Sequence, residues 1–145
     1  MIYDTRRNYT FFLRVIWKTN ITFNFCTSLE QSQRLIGLGI DTDTADMDYI
    51  PFANNPEEYD CIINVWNNEH EEDWIPAWSL STLLGLMPTD DKKDEYYVDT
   101  ESHSDYHTVN YRNCWDGCIH SEYSEESLLD AAFEMVCWLK ENKKL

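Results

Sequence analysis

Two cysteines and three histidines between residues 103 and 120 are the side chains best suited to metal chemistry. Cys114 and Cys118 are separated by three residues around a turn, His120 follows at strand spacing, and His107 lies upstream. Zinc binds Cys and His, but structural zinc sites normally combine two closely spaced ligand pairs. The segment offers half of such a site, and the alternative is that these residues only build a hairpin. No metal site is assigned; these four residues stay the candidates.

A run of aspartates gives a second pattern with the appearance of a metal site. Asp41, Asp43, Asp46 and Asp48 are spaced roughly like the ligands of a calcium-binding loop. An EF-hand loop needs glycine at its sixth position and a bidentate glutamate at its twelfth. Here those positions hold Asp46 and Phe52, so the run predicts an acidic surface loop.

Patterns for covalent or phosphate chemistry are absent from the sequence. The chain has four glycines and contains neither a G-x-S-x-G turn nor a glycine-rich phosphate loop. Carboxylates are too numerous for any pair to stand out. The sequence therefore predicts no catalytic residue and no cofactor.

Acidity is the dominant bulk property. There are 11 Lys and Arg against 27 Asp and Glu, which gives a net charge of −16. Such a field repels nucleic acid and attracts cationic protein surfaces. The alternative is that the charge serves only to keep the protein soluble. The chain has 6 Trp, 9 Tyr and 6 Phe, residues that are frequent in binding surfaces. The acidic residues Glu71, Glu72 and Asp73 are predicted to lie in a solvated loop and to contribute to an interaction surface.

Cysteine use and hydropathy indicate the compartment. The five cysteines are an odd number, and no secretory signal precedes them. The apolar segment 11–17 is interrupted by Arg14 and is far shorter than the roughly 20 residues that span a bilayer. We expect reduced thiols, a cytoplasmic location and no membrane contact.

The first half of the chain predicts two strands, a helix and a third strand. Residues 1–25 are rich in β-branched and aromatic residues, with alternation at Ile21, Phe23 and Phe25, and predict an N-terminal hairpin or extension; residues 26–145 are expected to form a single acidic domain. Thr27 and Glu30 fit a capping box at the start of a helix that stops at Gly37 or Gly39. Residues 59–66 read as a buried strand.

The second half predicts a helix, a hairpin and a final helix. A helix is expected over 75–87, with Ser79 as its N-cap and Pro88 after its end. A strand near 96–98 precedes a hairpin around Asp116-Gly117, a dipeptide typical of two-residue type I′ turns. Together these elements predict an α+β fold in which a small antiparallel sheet packs against about three helices.

The final helix has an unusually wide apolar face. It is predicted to start after Ser124 or Ser127, to run to about Asn142, and to leave only a narrow polar arc. An ordinary surface helix has an apolar stripe of roughly 100°. This helix is therefore either enclosed in the core or covered by a second copy in a homo-oligomer. Trp138 and Met135, which widen the apolar face, are the predicted interaction residues.

Three segments carry a resemblance to other proteins: SLEQSQRLIGLGIDTDTADM (28–47), WIPAWSLSTLLGLMP (74–88) and IHSEYSEESLLDAAFEMVCWLKENKKL (119–145). They resemble a group of small uncharacterised proteins encoded by phages and mobile elements of gut anaerobes. The resemblance implies an accessory protein acting in the cytoplasm of a host cell. It assigns no catalytic or binding residue, and residues 1–23 lie outside it.

These observations favour a non-enzymatic phage or mobile-element protein that binds a host protein with a basic surface. The target would be a host defence protein or a nucleic-acid-handling protein, and a DNA mimic is a sharper form of this hypothesis. One alternative is a protein that sequesters a signalling nucleotide by aromatic stacking and arginine contacts. The arginines considered for it are Arg6, Arg7, Arg14, Arg34 and Arg112. A second alternative is a metal-dependent enzyme built on Cys114, Cys118 and His120.

Overall fold

A computed structural model describes residues 25–63, 72–89 and 95–145, and each of its helices begins at a serine cap. Helix α1 spans Leu29–Gly37, α2 spans Leu80–Leu86 and α3 spans Leu128–Glu141. Their N-caps are Ser28, Ser79 and Ser127, each of which accepts a hydrogen bond from a backbone N–H of the first turn. The predicted caps Ser79 and Ser127 are confirmed.

The cap of α1 lies one residue later than predicted. Ser28 and Gln31 form the capping box, with bonds of 3.1 Å from Gln31 N to Ser28 Oγ and 2.9 Å from Ser28 N to Gln31 Oε1. Thr27 is fully buried, and its hydroxyl accepts from Trp78 N at 3.1 Å. The threonine therefore joins two distant segments instead of starting the helix.

The first sheet has the strand order β2-β1-β3 and is antiparallel throughout. Its strands are β1 (Met47–Phe52), β2 (Asn55–Ile63) and β3 (Ile75–Ala77). The prediction of a helix from residue 75 is wrong for residues 75–79, because Ile75–Ala77 pair with β1 and the helix begins only at Leu80. The strand predicted over 59–66 begins earlier, at Asn55, and is partly exposed. Residues 64–66 of the predicted range lie outside the described residues.

The second sheet has the order β4-β5-β6 and is also antiparallel. Its strands are β4 (Tyr96–Ser102), β5 (His107–Asn113) and β6 (Ile119–Glu125). The predicted α+β class is confirmed. Within the described residues, three helices accompany two small sheets, one sheet more than predicted.

Helix α3 lies across β5 and β6 and against α2, so its wide apolar face is enclosed by its own chain. Eight of its residues are buried, and they contact Val109 and Tyr111 of β5, Leu83 of α2 and Leu35 of α1 within one hydrophobic core. Of the two explanations for the apolar width, enclosure accounts for these residues. A homo-oligomer through this helix stays a prediction.

The aspartate run is exposed at Asp41 and Asp43, as predicted, and becomes part of the fold's framework at Asp46 and Asp48. Asp41 caps a 3-10 turn at Thr42–Thr44, and Asp48 lies in β1 with no exposed surface. Asp46 accepts from Ser79 N at 2.8 Å and from Ser79 Oγ at 2.6 Å. This carboxylate therefore ties the start of α2 to the segment that precedes β1.

Several predictions concern residues that the structure does not describe. They are the N-terminal hairpin or extension over 1–25, apart from Phe25, and part of the acidic run that ends at Asp73. Glu71 belongs to this undescribed part, whereas Glu72 and Asp73 are described and exposed.

Candidate interaction surface

The loop between β5 and β6 presents a large apolar side chain to solvent. Trp115 is 84% exposed and Ile119, at the start of β6, is 45% exposed. Tryptophan is large enough that burial normally dominates its environment in a folded protein. A tryptophan held outside the core at the end of a hairpin is therefore a feature that binding would explain.

Side-chain hydrogen bonds fix the backbone of this loop. Asn113 Oδ1 accepts from Trp115 N at 2.8 Å and from Asp116 N at 3.3 Å, and Asp116 Oδ1 accepts from Cys118 N at 2.9 Å. The Gly117 N–H bonds to the Asn113 carbonyl at 3.0 Å. We name residues 113–118 the hairpin tip. Its conformation is set by the chain itself, before any partner is present.

The predicted two-residue type I′ turn is wrong. That turn needs positive φ at both central residues. Gly117 has a φ of 70°, whereas Asp116 is not among the described residues with positive φ. The connection is a four-residue loop, 114–117, closed by a bond of 3.0 Å from Asn113 N to Cys118 O. The extra residues are what carry Trp115 outward.

Arg112 braces the hairpin tip against β4. Its Nη1 donates to the Gly117 carbonyl at 3.3 Å, its Nε donates to Asp99 Oδ2 at 2.8 Å, and its Nη2 donates to Glu101 Oε1 at 2.8 Å. A guanidinium with three directed bonds is held in one orientation. The guanidinium therefore links the loop to two carboxylates of the outer sheet face.

Acidic residues lie in the hairpin tip and along the sheet face next to it. Asp116 lies within it, and the Glu95 carbonyl accepts from Cys114 N at 2.8 Å, which places residue 95 beside it. Further along the outer face of the second sheet, Asp99 and Glu122 flank Asn110 in the strand register. The carboxylates of this face accompany the hairpin tip along the sheet, and the Arg112 guanidinium lies between Asp99 and the tip.

Buried polar atoms without partners lie on the same sheet face. Thr108 and Asn110 are almost fully buried, and Asp99 Oδ1, Thr108 Oγ1 and Asn110 Oδ1 have no hydrogen-bond partner among the described residues. A buried oxygen without a partner loses its hydration with no compensating bond. Replacing the Thr108 hydroxyl by a methyl group is therefore a direct test of whether this oxygen lacks a partner.

The candidate metal ligands do not converge. His107 pairs with Glu125 at the end of the hairpin away from Cys118, about 20 Å along the strand at 3.4 Å per residue. Its Nδ1 is 3.0 Å from Ser102 Oγ. Cys114 and Cys118 are exposed, and among the described residues no three His, Cys, Asp or Glu side chains group closely enough to hold a metal ion. Asp116 raises the pKa of the Cys118 thiol, through a hydrogen bond and its charge.

His120 belongs to an aromatic cluster instead. Its ring lies 5.6 Å from Tyr96, 6.1 Å from Tyr111 and 6.0 Å from Trp138. Tyr111 stacks on Tyr96 at 5.0 Å. Edge-to-face and stacked arrangements at these distances stabilise the packing of α3 on the sheet.

The two predicted interaction residues of α3, Trp138 and Met135, both pack against the protein's own interior. Trp138 is partly buried within the aromatic cluster, 5.4 Å from Tyr111. Met135 has no exposed surface, which removes it from any docking face. The wide apolar pattern in α3 indicates a core helix, and the exposed tryptophan is elsewhere.

The described arginines of the nucleotide hypothesis are already engaged. Arg34 lies 3.4 Å from Glu134 and 3.7 Å from Glu141, with its guanidinium 5.5 Å from the Phe133 ring centre. Arg112 is bound by Asp99 and Glu101. A phosphate would have to displace carboxylates in either place, so the geometry gives a nucleotide site little support.

None of the helices in the described ranges is both long and apolar enough to cross a membrane. No protein-family model, curated protein or solved structure matches this chain, so the interpretation of the hairpin tip depends on its own geometry.

Proposed function

We propose that this protein acts by binding another protein, with Trp115 as its anchor, and does not transform a substrate. The observation that carries the proposal is an indole 84% exposed on a loop whose backbone is fixed by side-chain hydrogen bonds. Tryptophan is among the residues most enriched at binding hot spots. A prearranged loop also avoids much of the ordering entropy that association normally costs.

Charge defines the kind of partner. The protein has a net charge of −16, and Asp116 directly follows Trp115 in the sequence. The complementary surface is an apolar pocket for the indole with Lys and Arg around its rim. Opposite charges at such a rim accelerate the encounter and reject partners of like charge.

The resemblance to phage and mobile-element proteins favours a host protein as this partner, with inhibition of a defence or nucleic-acid-handling protein as the biological outcome. A DNA mimic would need a continuous row of carboxylates spaced like phosphates, and the hairpin region supports this less than it supports binding through Trp115. Asp99 and Glu101 share the charge of Arg112, so these carboxylates do not form an uninterrupted row of negative charge.

Site-specific photo-cross-linking tests the proposal. A photoreactive phenylalanine analogue is placed at Trp115 in one variant and at Tyr106 in another, and both are expressed in host cells. Tyr106 is 44% exposed in the turn between β4 and β5, at the other end of the sheet. The expected result is one cross-linked protein at position 115 that is absent at position 106.

Calorimetry with that purified partner then measures the anchor. A hot-spot residue contributes at least about 2 kcal/mol, so Trp115→Ala should weaken binding by roughly 30-fold. Tyr106→Ala should bind as the wild type does, and both variants should keep the wild-type Tm. Asp116→Asn should slow association more than it speeds dissociation. Wild-type affinity in Trp115→Ala would refute the proposal.

A further inference from the structure

A pair of thiols lies in the smaller hydrophobic cluster, away from the hairpin tip. Cys26 Sγ and Cys61 Sγ are 3.0 Å apart, next to Met47, Ala77 and Tyr49. Cys26 is 9% exposed and Cys61 is partly exposed. The two residues are separated by 35 positions in sequence, so the fold and not the local chain brings them together.

Independent elements hold the two cysteines. Cys26 forms an isolated bridge with Ser79, and Cys61 lies in β2 opposite Tyr49 of β1. A disulfide has an S–S length of about 2.05 Å, so the sulfurs need to approach by about 1 Å.

We infer that Cys26 and Cys61 form a dithiol that a peroxide oxidises to an intramolecular disulfide. The inference is independent of the proposed binding function, because the pair lies in the first sheet region and the hairpin tip belongs to the second.

The hydrogen bonds around the pair distinguish the two thiols. Tyr49 has one hydroxyl proton, which it donates to the Thr27 carbonyl at 2.8 Å, so its oxygen accepts from Cys26 at 3.8 Å. Because the Cys26 proton points to the Tyr49 oxygen, Cys61 is left as the donor in the 3.0 Å contact between the two sulfurs. The bond from Cys61 lowers the pKa of the Cys26 thiol, and the same bond with burial raises the pKa of Cys61. The two shifts favour Cys26 as the thiol that reacts first, and the dimedone-type probe described below tests that order.

The reaction balances with peroxide as the two-electron oxidant. The Cys26 thiolate attacks one peroxide oxygen, the O–O bond breaks, and a sulfenic acid and hydroxide form. Cys61 gives up its proton, and its sulfur attacks the Cys26 sulfur as the S–O bond breaks. The products are one disulfide and two waters, and the protons come from the two thiols.

Tryptic cleavage makes the test selective. Cys26 lies alone in peptide 19–34 and Cys61 lies alone in peptide 35–92, whereas Cys114, Cys118 and Cys137 share peptide 113–140. A cross-link between the first two peptides therefore identifies this disulfide. The experiment treats the purified wild-type protein with equimolar hydrogen peroxide, blocks the remaining thiols under denaturing conditions and maps the peptides by mass.

The expected result is a 19–34 to 35–92 cross-link in most molecules, reversed by a reducing agent. In Cys61→Ser, a dimedone-type probe should capture sulfenic acid on Cys26, and Cys137→Ser should oxidise as the wild type does. Persistence of both free thiols in folded wild-type protein, while Cys114 and Cys118 are oxidised, would overturn the inference. Because the wild-type protein gives the decisive result, a misfolded variant cannot obscure it.

Discussion

Removing the Asp46 carboxylate should destabilise the protein by an amount that the structure allows us to estimate. Asp46 accepts from the backbone N–H and the hydroxyl of Ser79, at 2.8 Å and 2.6 Å, and Ser79 caps α2. The matched control is Asp43→Ala. Asp43 is exposed in the same segment and carries the same charge, while its backbone N–H, which bonds to Asp41, is retained.

Two charge-assisted hydrogen bonds set the magnitude. Each contributes about 1.5–3 kcal/mol, but both go to Ser79 and water partly replaces them, so we expect Asp46→Ala to cost about 3 kcal/mol. Asp46→Asn keeps an acceptor for the Ser79 N–H and loses the one for the hydroxyl, so about half that loss is expected. Each Asp46 variant also loses one negative charge, which reduces the repulsion within this acidic protein. Asp43→Ala loses the same charge, so its change in the free energy of unfolding measures that effect.

Urea unfolding followed by circular dichroism gives the free energies, and the change for Asp46→Ala corresponds to a fall in Tm of roughly 6–12 °C. Hydrogen exchange adds a local readout, because the Ser79 amide should lose more protection than the Thr82 amide. If Asp46→Ala and Asp43→Ala differ by less than about 0.5 kcal/mol, the carboxylate does not hold α2 and the reasoning fails.

Three further predictions follow from individual side chains. Thr108→Val removes a buried hydroxyl that has no partner in the described structure and should stabilise the protein by about 1 kcal/mol in urea unfolding, whereas any loss of stability would show that the hydroxyl is satisfied. Burial raises the pKa of Cys137 to about 11 from an ordinary 9.0. The free energy of unfolding therefore includes a contribution from this thiol that is complete below the unfolded-state pKa, about pH 9, and is lost as the pH rises through the folded-state pKa, about 11. The stability gap between the wild type and Cys137→Ala should shrink across that range, and a constant gap would contradict the shift. Asp116→Asn should speed iodoacetamide labelling of Cys118, because the charge that raises the thiol pKa is gone while an acceptor for the Cys118 N–H remains, and an unchanged rate would refute this account.

The final helix could be predicted because everything that forms it is local. A serine cap, an acidic first turn and an apolar pattern that repeats every three to four residues lie within Ser127–Glu141. Its environment was harder to predict. The same wide apolar face suits enclosure by one chain or by two, and only the positions of β5, β6 and α2 decide between them.

Elements that depend on distant partners were not predictable. Ile75–Ala77 become a strand because β1 lies alongside, and the Thr27 hydroxyl is directed to Trp78, 51 residues later. No local pattern encodes either contact. Asp46 likewise reads as one more surface acid until Ser79 is seen beside it.

The hairpin tip shows how a correct element can hide its functional residue. Asp116-Gly117 correctly predicted a hairpin, but a two-residue turn would have placed Trp115 in the strand. The available signal was Asn113, whose side chain favours a turn that bonds its own backbone two residues on. Asn113 and the single residue with positive φ, Gly117, are together consistent with the four-residue loop 114–117.

Because α3 follows in chain order the elements that it covers, the fold has a built-in delay during synthesis. Side chains such as Leu35, Leu83 and Val109 leave the ribosome well before the helix that covers them. Until it arrives, the nascent chain presents an uncovered apolar surface of the kind that chaperones bind and that aggregates in their absence. Premature termination before Leu128 should therefore yield an insoluble fragment instead of a smaller working protein.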